Sequence, residues 1–97
     1  MSGPLSGIRI VDLTSMISGP VATMLLGDQG ADVIKVEPLS GDLVRTMGPN
    51  RQGLSAAFIS SNHSKRSIAV DLKTAAGIDI VARLLASADV FVQNFRP

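Results

Sequence analysis

The chain has 97 residues, of which 45% are hydrophobic and only 18% charged, and its mean hydropathy is +0.33. This length and composition predict one small folded unit with a buried core, and they exclude a disordered chain. Nine basic against eight acidic side chains argue against nucleic-acid binding, and the absence of cysteine excludes disulfides and thiolate metal sites.

Two further classes are excluded by simple counts. A single histidine makes a zinc site improbable, so we expect no metal. No apolar stretch approaches the roughly 20 residues that span a bilayer, and the first residues lack the charged region of a signal peptide. The sequence therefore predicts a cytoplasmic protein without a membrane segment.

The chain begins with a pattern typical of a strand followed by a helix. Ile8–Leu13 is short and rich in β-branched residues, which favours a strand. Ser18 or Gly19 as N-cap, followed by Pro20, predicts the start of a helix that continues over Val21–Gly27.

A second strand follows this helix. Gly30 is predicted to end the helix as its C′ residue, and Ala31–Val36 has the apolar run of a buried strand. Strand, helix and strand within about 30 residues predict a parallel pair joined by a right-handed crossover.

The middle of the chain has weaker patterns. Leu39–Arg51 contains glycine and proline breakers, which predict a long loop with a helical turn near Asp42–Arg45. Ala56–Ser61 is ambiguous between strand and helix. Asn62–Arg66 predicts a polar bend, and the alternation in Ser67–Leu72 predicts a third strand.

The last part contains the clearest helix. Thr74–Ala86 has a capping residue at its start, apolar residues at helical spacing, and Asp79 and Arg83 one turn apart. The predicted buried stripe is Ile78, Val81, Ala82 and Leu85. Ala88–Gln93 predicts a final strand. Together the elements predict an α/β fold with a parallel sheet.

The turn after the first strand is one candidate site. A helix that begins near Ser18 and Gly19 offers free N–H groups to a phosphate or carboxylate, and Glu37 resembles the acidic residue of a dinucleotide site. The G-x-G-x-x-G fingerprint is missing, however, because only Gly19 lies in this turn. An NAD site is therefore not predicted, and an ordinary capped helix is the alternative.

A basic set consisting of Lys65, Arg66, Lys73 and Arg96 is the second candidate. Lys73 and Arg96 each follow a predicted parallel strand, so both are expected at the carboxyl edge of the sheet. Two cations at that edge suit a phosphorylated ligand. The alternative is a solvated rim.

Two other features are weaker. Asp42 can cap the predicted helical turn, and Arg45 can pair with Asp42 or with Glu37. His63 lies in a polar bend, and no Ser–His–Asp arrangement can be argued from its spacing. Neither feature predicts a function by itself.

Short motifs extend through the whole chain in a specific order. They are Pro4–Thr14, Gly19-Pro20, Leu26–Glu37, Gly41-Asp42, Asn62, Lys65–Ile68, Val70–Lys73, Ala88–Val90 and Asn94–Pro97. In order and spacing they resemble class III CoA-transferases, the family of formyl-CoA transferase, carnitine CoA-transferase and α-methylacyl-CoA racemase.

The resemblance implies that residues 1–97 form the N-terminal segment of a large CoA-binding domain with a Rossmann-like parallel sheet, and that a smaller domain lies further along a longer chain. It also implies that two full-length chains interlock as a homodimer, and that CoA lies along the carboxyl edge of the sheet. The residues that fall on CoA-contacting segments are Ile17, Ser18, Val70, Asp71, Leu72, Lys73, Asn94, Phe95 and Arg96. The implied reaction moves CoA between an acyl-CoA and a carboxylic acid.

Three departures from the family pattern qualify these expectations. Ile17 replaces the glutamine of formyl-CoA transferase, which argues against formyl or oxalyl groups as substrate. Pro38 replaces an arginine that lies near adenine in some members. The family nucleophile is an aspartate far downstream that forms a mixed anhydride, and no residue of this chain matches it. We therefore expect no catalytic residue among the 97 and no catalysis by this chain alone.

Two alternatives stay open from the sequence. The chain can instead be the N-terminal part of an α-methylacyl-CoA racemase, which would exchange an α-proton with an acid/base pair that also lies beyond Pro97. It can also be a non-catalytic module that binds CoA or supports assembly with a partner.

Overall fold

The computed structural model describes residues 3–52 and 54–97 and has an α/β architecture. The strands are β1 (Arg9–Leu13), β2 (Asp32–Glu37), β3 (Asn50–Arg51), β4 (Leu54–Ser55), β5 (Lys65–Ala69) and β6 (Val90–Gln93). The helices are α1 (Ser18–Asp28), α2 (Ala56–Asn62) and α3 (Ala75–Ala86), with a 3-10 helix at Leu43–Thr46.

The main sheet has four parallel strands in the order β5-β2-β1-β6. The chain adds β2 and β5 on one side of β1 and then returns to place β6 on the other side. This reversal is the topological switch point at which doubly wound folds bind ligands, beyond the carboxyl ends of the strands. The predicted parallel, Rossmann-like sheet is confirmed.

Two apolar clusters cover the two faces of the sheet. Val11 and Val36 pack with Val81 of α3, whereas Ile10 and Val33 pack with Leu26 of α1. Neighbouring residues of β1 point to opposite faces, so α1 and α3 lie on opposite sides of the sheet. Buried parallel strands need this double cover, which explains why Val33 and Ile34 of β2, which point to opposite faces, are both apolar.

The start of α1 differs from its prediction. The helix begins at Ser18, and Ile17 occupies the N-cap position without any side-chain capping hydrogen bond, so neither Ser18 nor Gly19 is the cap. The predicted end is confirmed, since Gly30 follows the C-cap with φ of 104°. Gly19 instead permits a close approach, because a Cβ there would lie 2.6 Å from the Cβ of Thr14.

The third strand of the sheet begins and ends earlier than the alternation predicts. It covers Lys65–Ala69 rather than Ser67–Leu72, and Lys65 pairs with Val33 of β2. The predicted polar bend is therefore wrong for Lys65 and Arg66. The ambiguous segment before it is helix α2, capped by the Ser55 hydroxyl, which accepts a hydrogen bond from the amide of Phe58.

Helix α3 is confirmed, but its buried face is not the predicted stripe. Thr74 caps the helix as predicted, and Asp79 pairs with Arg83 at 3.0 Å. Val81 is buried, whereas Ile78 is 58% exposed. Gly77 is the other buried residue of the helix, because its missing side chain lets the first turn rest on the chain that follows β5. The sequence also did not predict the short antiparallel hairpin of β3 and β4.

Candidate functional site

A groove of about 700 Å³ opens at the carboxyl edge of the sheet. The ends of β1 and β2 and the segment after β5 form its floor, and the loop after β2 forms one wall. Apolar side chains that are open to solvent line much of it, namely Leu39, Leu43, Leu72 and Phe95. A mainly apolar groove beside the switch point has the position and character of a ligand site.

The segment Val70–Lys73 lies in this groove, as the position of its residues after a parallel strand predicts. The amide of Val70 donates to the carbonyl of Glu37 at 2.8 Å, so this segment continues the sheet edge. Asp71 accepts a hydrogen bond from the amide of Lys73 at 3.0 Å, which shapes a tight turn. Among residues 3–52 and 54–97, Lys73 forms no ion pair, and its ammonium is therefore available to an anionic ligand.

The residues after β6 have different positions. Phe95 lines the groove. The side chain of Asn94 accepts from the amide of Ser15 at 3.1 Å and donates to the Ser15 carbonyl at 2.9 Å, so it joins the ends of β1 and β6 at the switch point. Arg96 is exposed outside the groove lining and forms no ion pair with any residue that the structure describes.

Ile17 and Ser18 lie at the start of α1, exposed and outside the groove lining. Ser15, two residues earlier, does line the groove. The structure thus brings Val70, Asp71, Leu72, Lys73 and Phe95 to one cavity. It does not place Ile17, Ser18, Asn94 or Arg96 in the lining of that cavity.

Three buried acidic residues lie at this edge, and each is paired with a cation of the same chain; Glu37 and Asp42 line the groove, whereas Asp12 does not. The pairs are Asp12 with Lys65 at 2.9 Å, Asp42 with Lys35 at 2.8 Å, and Glu37 with Arg45 at 2.6 Å. Burying a charge without a partner is costly, so such pairs strongly constrain the local geometry. In the described part of the chain, no cluster of three or more His, Cys, Asp or Glu side chains has the geometry to hold a metal ion.

Lys65 does not belong to a ligand-facing basic set, and that prediction is wrong for it. Its side chain is 2% exposed and donates to Asn62 at 2.7 Å besides pairing with Asp12. Burial lowers the pKa of the Lys65 ammonium, and Asp12 opposes that shift. Arg66 pairs with Asp32 at 2.7 Å, near the start of β2 and away from the groove.

Asp12 joins the end of β1 to neighbouring elements. One carboxylate oxygen accepts from the amide and hydroxyl of Thr14, and the other accepts from the hydroxyl of Thr23 in α1 at 2.7 Å. Burial alone would raise the pKa of Asp12, but the hydrogen bonds from Thr14, Lys65 and Thr23 outweigh it and lower the pKa. Asp12 is therefore charged, and it connects the end of β1 to α1 and to the start of β5.

Glu37 is occupied by groups of its own chain and is not free to bind a ribose. Arg45 donates two hydrogen bonds to it, at 2.6 and 2.7 Å, which resolves the sequence alternative in favour of the Arg45–Glu37 pair. Ser67 and the amide of Asp42 also donate to it. Burial alone would raise the pKa of Glu37, but these donors outweigh it and lower the pKa from 4.5 to about 2.

The sequence alone did not indicate Asp12 and Lys35 as parts of this edge, and it predicted Asp42 only as a cap or as a partner of Arg45. Asp42 does cap the 3-10 helix by accepting from the amide of Val44, as predicted, but it also pairs with Lys35. One signal was present: a lysine inside an apolar strand requires a buried carboxylate partner. Lys35 is 1% exposed.

Acid is expected to remove the contribution of Glu37 to stability. Its folded pKa lies below its unfolded value, so the stabilisation is complete above pH 4.5 and is lost as the pH falls toward 2. Glu37→Gln should lower the free energy of unfolding at pH 7 by about 1–3 kcal/mol. Urea unfolding measured between pH 7 and 2 should show the difference between native protein and variant shrinking in that interval. A constant difference would contradict the assignment.

Comparison with known proteins identifies the family. The family described as CoA-transferase family III matches residues 5–97. Human succinyl-CoA:glutarate CoA-transferase is 51% identical over 97% of this chain and 22% of its own length. Succinate–glutarate CoA-transferase of Agrobacterium fabrum is 48% identical over 96% of this chain and 25% of its own length.

A solved structure agrees with these sequence matches. A CAIB/BAIF family protein from Brucella suis superposes with a TM-score of 0.91 and 43% identity, over 98% of this chain and 26% of the other. The chain thus spans about a quarter of the length of the relatives it matches. On the match over residues 5–97, the chain belongs to CoA-transferase family III.

Proposed function

We propose that this chain supplies the N-terminal CoA-binding part of an enzyme that transfers CoA between an acyl-CoA and a carboxylic acid. The observation that carries the proposal is the groove at the carboxyl edge, which combines apolar walls with an unpaired lysine. Val70, Asp71, Leu72, Lys73 and Phe95 line it, and they belong to the two segments that the family resemblance assigns to CoA contact.

The chemistry of CoA fits this groove. The pantetheine arm is long and largely apolar between its amides, and the apolar side chains Leu39, Leu72 and Phe95 offer it a surface. The phosphates at the other end of CoA need cations. Lys73 and Arg96 are the cations near this edge that have no partner among the described residues.

The aspartates of the chain support a binding role rather than a nucleophilic one. Five take part in ion pairs: Asp12, Asp28, Asp32, Asp42 and Asp79. Asp89 accepts from the amide of Arg9, and Asp71 accepts from the amide of Lys73. These contacts hold the carboxylates in structural roles, whereas an attacking carboxylate needs an oxygen free to form the new bond with the thioester carbon. We therefore propose that these residues bind and orient the CoA ester, and that the attacking carboxylate lies outside this segment.

The names of the relatives suggest the substrate class. The human and Agrobacterium relatives are both named for succinyl or succinate and glutarate. We propose a short dicarboxylic acyl-CoA as donor and a second dicarboxylic acid as acceptor. The protein as its gene encodes it should then form glutaryl-CoA from succinyl-CoA and glutarate. Equal rates with acetate in place of glutarate would contradict this choice.

Isothermal titration with CoA tests the binding site. Lys73→Ala and Arg96→Ala are each expected to weaken CoA binding about tenfold, since a lost charge-assisted contact costs roughly 1.4 kcal/mol. Arg83→Ala is the matched control, because Arg83 is exposed in the last turn of α3 and, within the described part of the chain, pairs only with Asp79.

The outcomes of this titration separate two claims. Native protein that does not bind CoA would overturn the proposed function. Binding that survives in Lys73→Ala and Arg96→Ala as well as in Arg83→Ala would contradict only the placement of the phosphates.

A further inference from the structure

Asp42 connects the two chain segments that border the groove, and nothing in the proposed CoA contact explains this position. One carboxylate oxygen accepts from the amide of Met16, in the turn after β1, at 3.2 Å. The same oxygen accepts from the amide of Val44, in the 3-10 helix, at 3.1 Å. The side chain of Asp42 is 1% exposed, so water does not compete for these bonds.

Lys35 completes the connection from below. Its ammonium lies 2.8 Å from the second oxygen of Asp42 and donates to the carbonyl of Thr14 at 3.2 Å. The pair therefore contacts the turn after β1 at two backbone points, Thr14 and Met16. Because both side chains are buried, a shift of the turn would break hydrogen bonds to two buried charged groups.

Met16 has an unusual backbone that needs such a contact. Its φ is 71°, in the left-handed region that side-chain-bearing residues other than Asn and Asp rarely adopt. A residue stays in this strained conformation only where surrounding contacts hold its backbone in place, and such residues cluster at functional sites. Met16 lies between Ser15, which lines the groove, and Ile17, which precedes α1.

We propose that Asp42 is a positioning residue for the CoA ester: it holds Met16 in the left-handed conformation and so fixes the Ser15–Ile17 turn against the groove. This inference rests on the proposed function. Lys35 neutralises Asp42 and anchors Thr14, whereas the Asp42 oxygen that accepts from Met16 sets the turn. The residue Asp42 lines the groove, but its carboxylate is 1% exposed and therefore acts through the turn.

The test separates the acceptor atom from the buried charge. In a Lys35→Met background no ammonium is left unpaired, and two isosteric changes are compared: Asp42→Asn keeps the oxygen acceptor, and Asp42→Leu removes it. In the protein as its gene encodes it, succinyl-CoA should bind the asparagine variant at least about tenfold more tightly than the leucine variant. The Met16 amide should exchange with deuterium faster in the leucine variant, while the Val11 amide should not.

A rescue gives a readout that a merely structural role would not move. Glycine adopts positive φ without strain, so Met16→Gly in the leucine variant should recover at least about threefold of the lost affinity. Asp79→Asn and Asp79→Leu, at an exposed aspartate of α3, are the matched controls and should not differ from each other. If Asp42→Leu proves too unstable to purify, Asp42→Ala in the same background replaces it in each comparison.

Each result has one meaning. Equal affinity and equal Met16 exchange in the asparagine and leucine variants, with native protein that binds CoA, would overturn the positioning role alone. Loss of affinity without rescue by Met16→Gly would also overturn it. Native protein that binds neither CoA nor succinyl-CoA would overturn the proposed function and this inference with it, whatever the exchange at Met16.

Discussion

Lys65→Met is expected to lower the free energy of unfolding by about 3–5 kcal/mol, because it leaves the buried carboxylate of Asp12 without its cation. Asp12 is fully buried, and Lys65 is its only ion-pair partner in the described residues. Methionine retains most of the volume of the lysine stem, so the loss reflects charge rather than a cavity. Urea unfolding followed by circular dichroism measures the change.

A second substitution should reverse most of this loss. Asp12→Asn in the Lys65→Met background removes the stranded charge, and Thr23 can turn its hydroxyl toward the backbone carbonyls of Gly19 and Pro20, at 3.3 and 3.2 Å. Replacing a buried ion pair by neutral groups of similar shape is often close to neutral. Lys73→Met is the control and should change stability by less than about 0.5 kcal/mol. A loss in Lys65→Met no larger than in this control would contradict the buried pair.

The parts of the fold that the sequence predicted are those set by local patterns. A buried parallel strand is predicted by Val33, Ile34 and Val36, because both faces of such a strand must be apolar. Helix α3 is predicted by Thr74 as its cap and by the helical spacing of the apolar residues that follow. The handedness rule for crossovers limits the possible topologies, but it does not give the strand order β5-β2-β1-β6 or the switch point, which the structure shows.

The misplaced third strand had a tertiary cause. From its polar neighbours, Lys65 is expected to face solvent. It instead begins β5, because its ammonium forms a buried ion pair with Asp12 of β1. The buried face of α3 was misjudged for a related reason. Gly77 lies at the contact between α3 and the Asp71 backbone because it has no side chain. A pattern of hydrophobic residues does not indicate such a contact.

The position of the candidate site could be predicted from the sequence, but the residues that belong to it could be predicted only in part. Lys73 follows a parallel strand, and this alone places it at the carboxyl edge. Which cations are already neutralised depends on distances across the sheet, so Lys65 and Lys73 look alike in sequence and differ completely in the fold. The hydrogen bond from Met16 to Asp42 spans 26 residues and has no sequence signature.

Gly77→Ala is expected to destabilise the protein by about 2–3 kcal/mol, although alanine is normally the better helix former. A Cβ at this position would lie 1.9 Å from the carbonyl oxygen of Asp71 and 2.7 Å from its carbonyl carbon. The helix cannot move away freely, because the Thr74 hydroxyl holds both chain segments. It accepts a hydrogen bond from the amide of Gly77 at 3.0 Å and donates one to the Asp71 carbonyl at 2.9 Å. The backbone of Asp71 must therefore shift, and with it the floor of the groove.

The sign of this effect separates the close contact from helix propensity. At an open helical position the same change would stabilise by roughly 0.5–1 kcal/mol. Ala76→Gly, at the exposed neighbouring position, is the matched control and should cost about 1 kcal/mol through propensity alone. Thermal unfolding of both variants gives the comparison, and CoA titration should show weaker binding only for Gly77→Ala. A stabilised Gly77→Ala protein would mean that α3 does not rest on the Asp71 backbone, and the geometry of this side of the groove would be wrong.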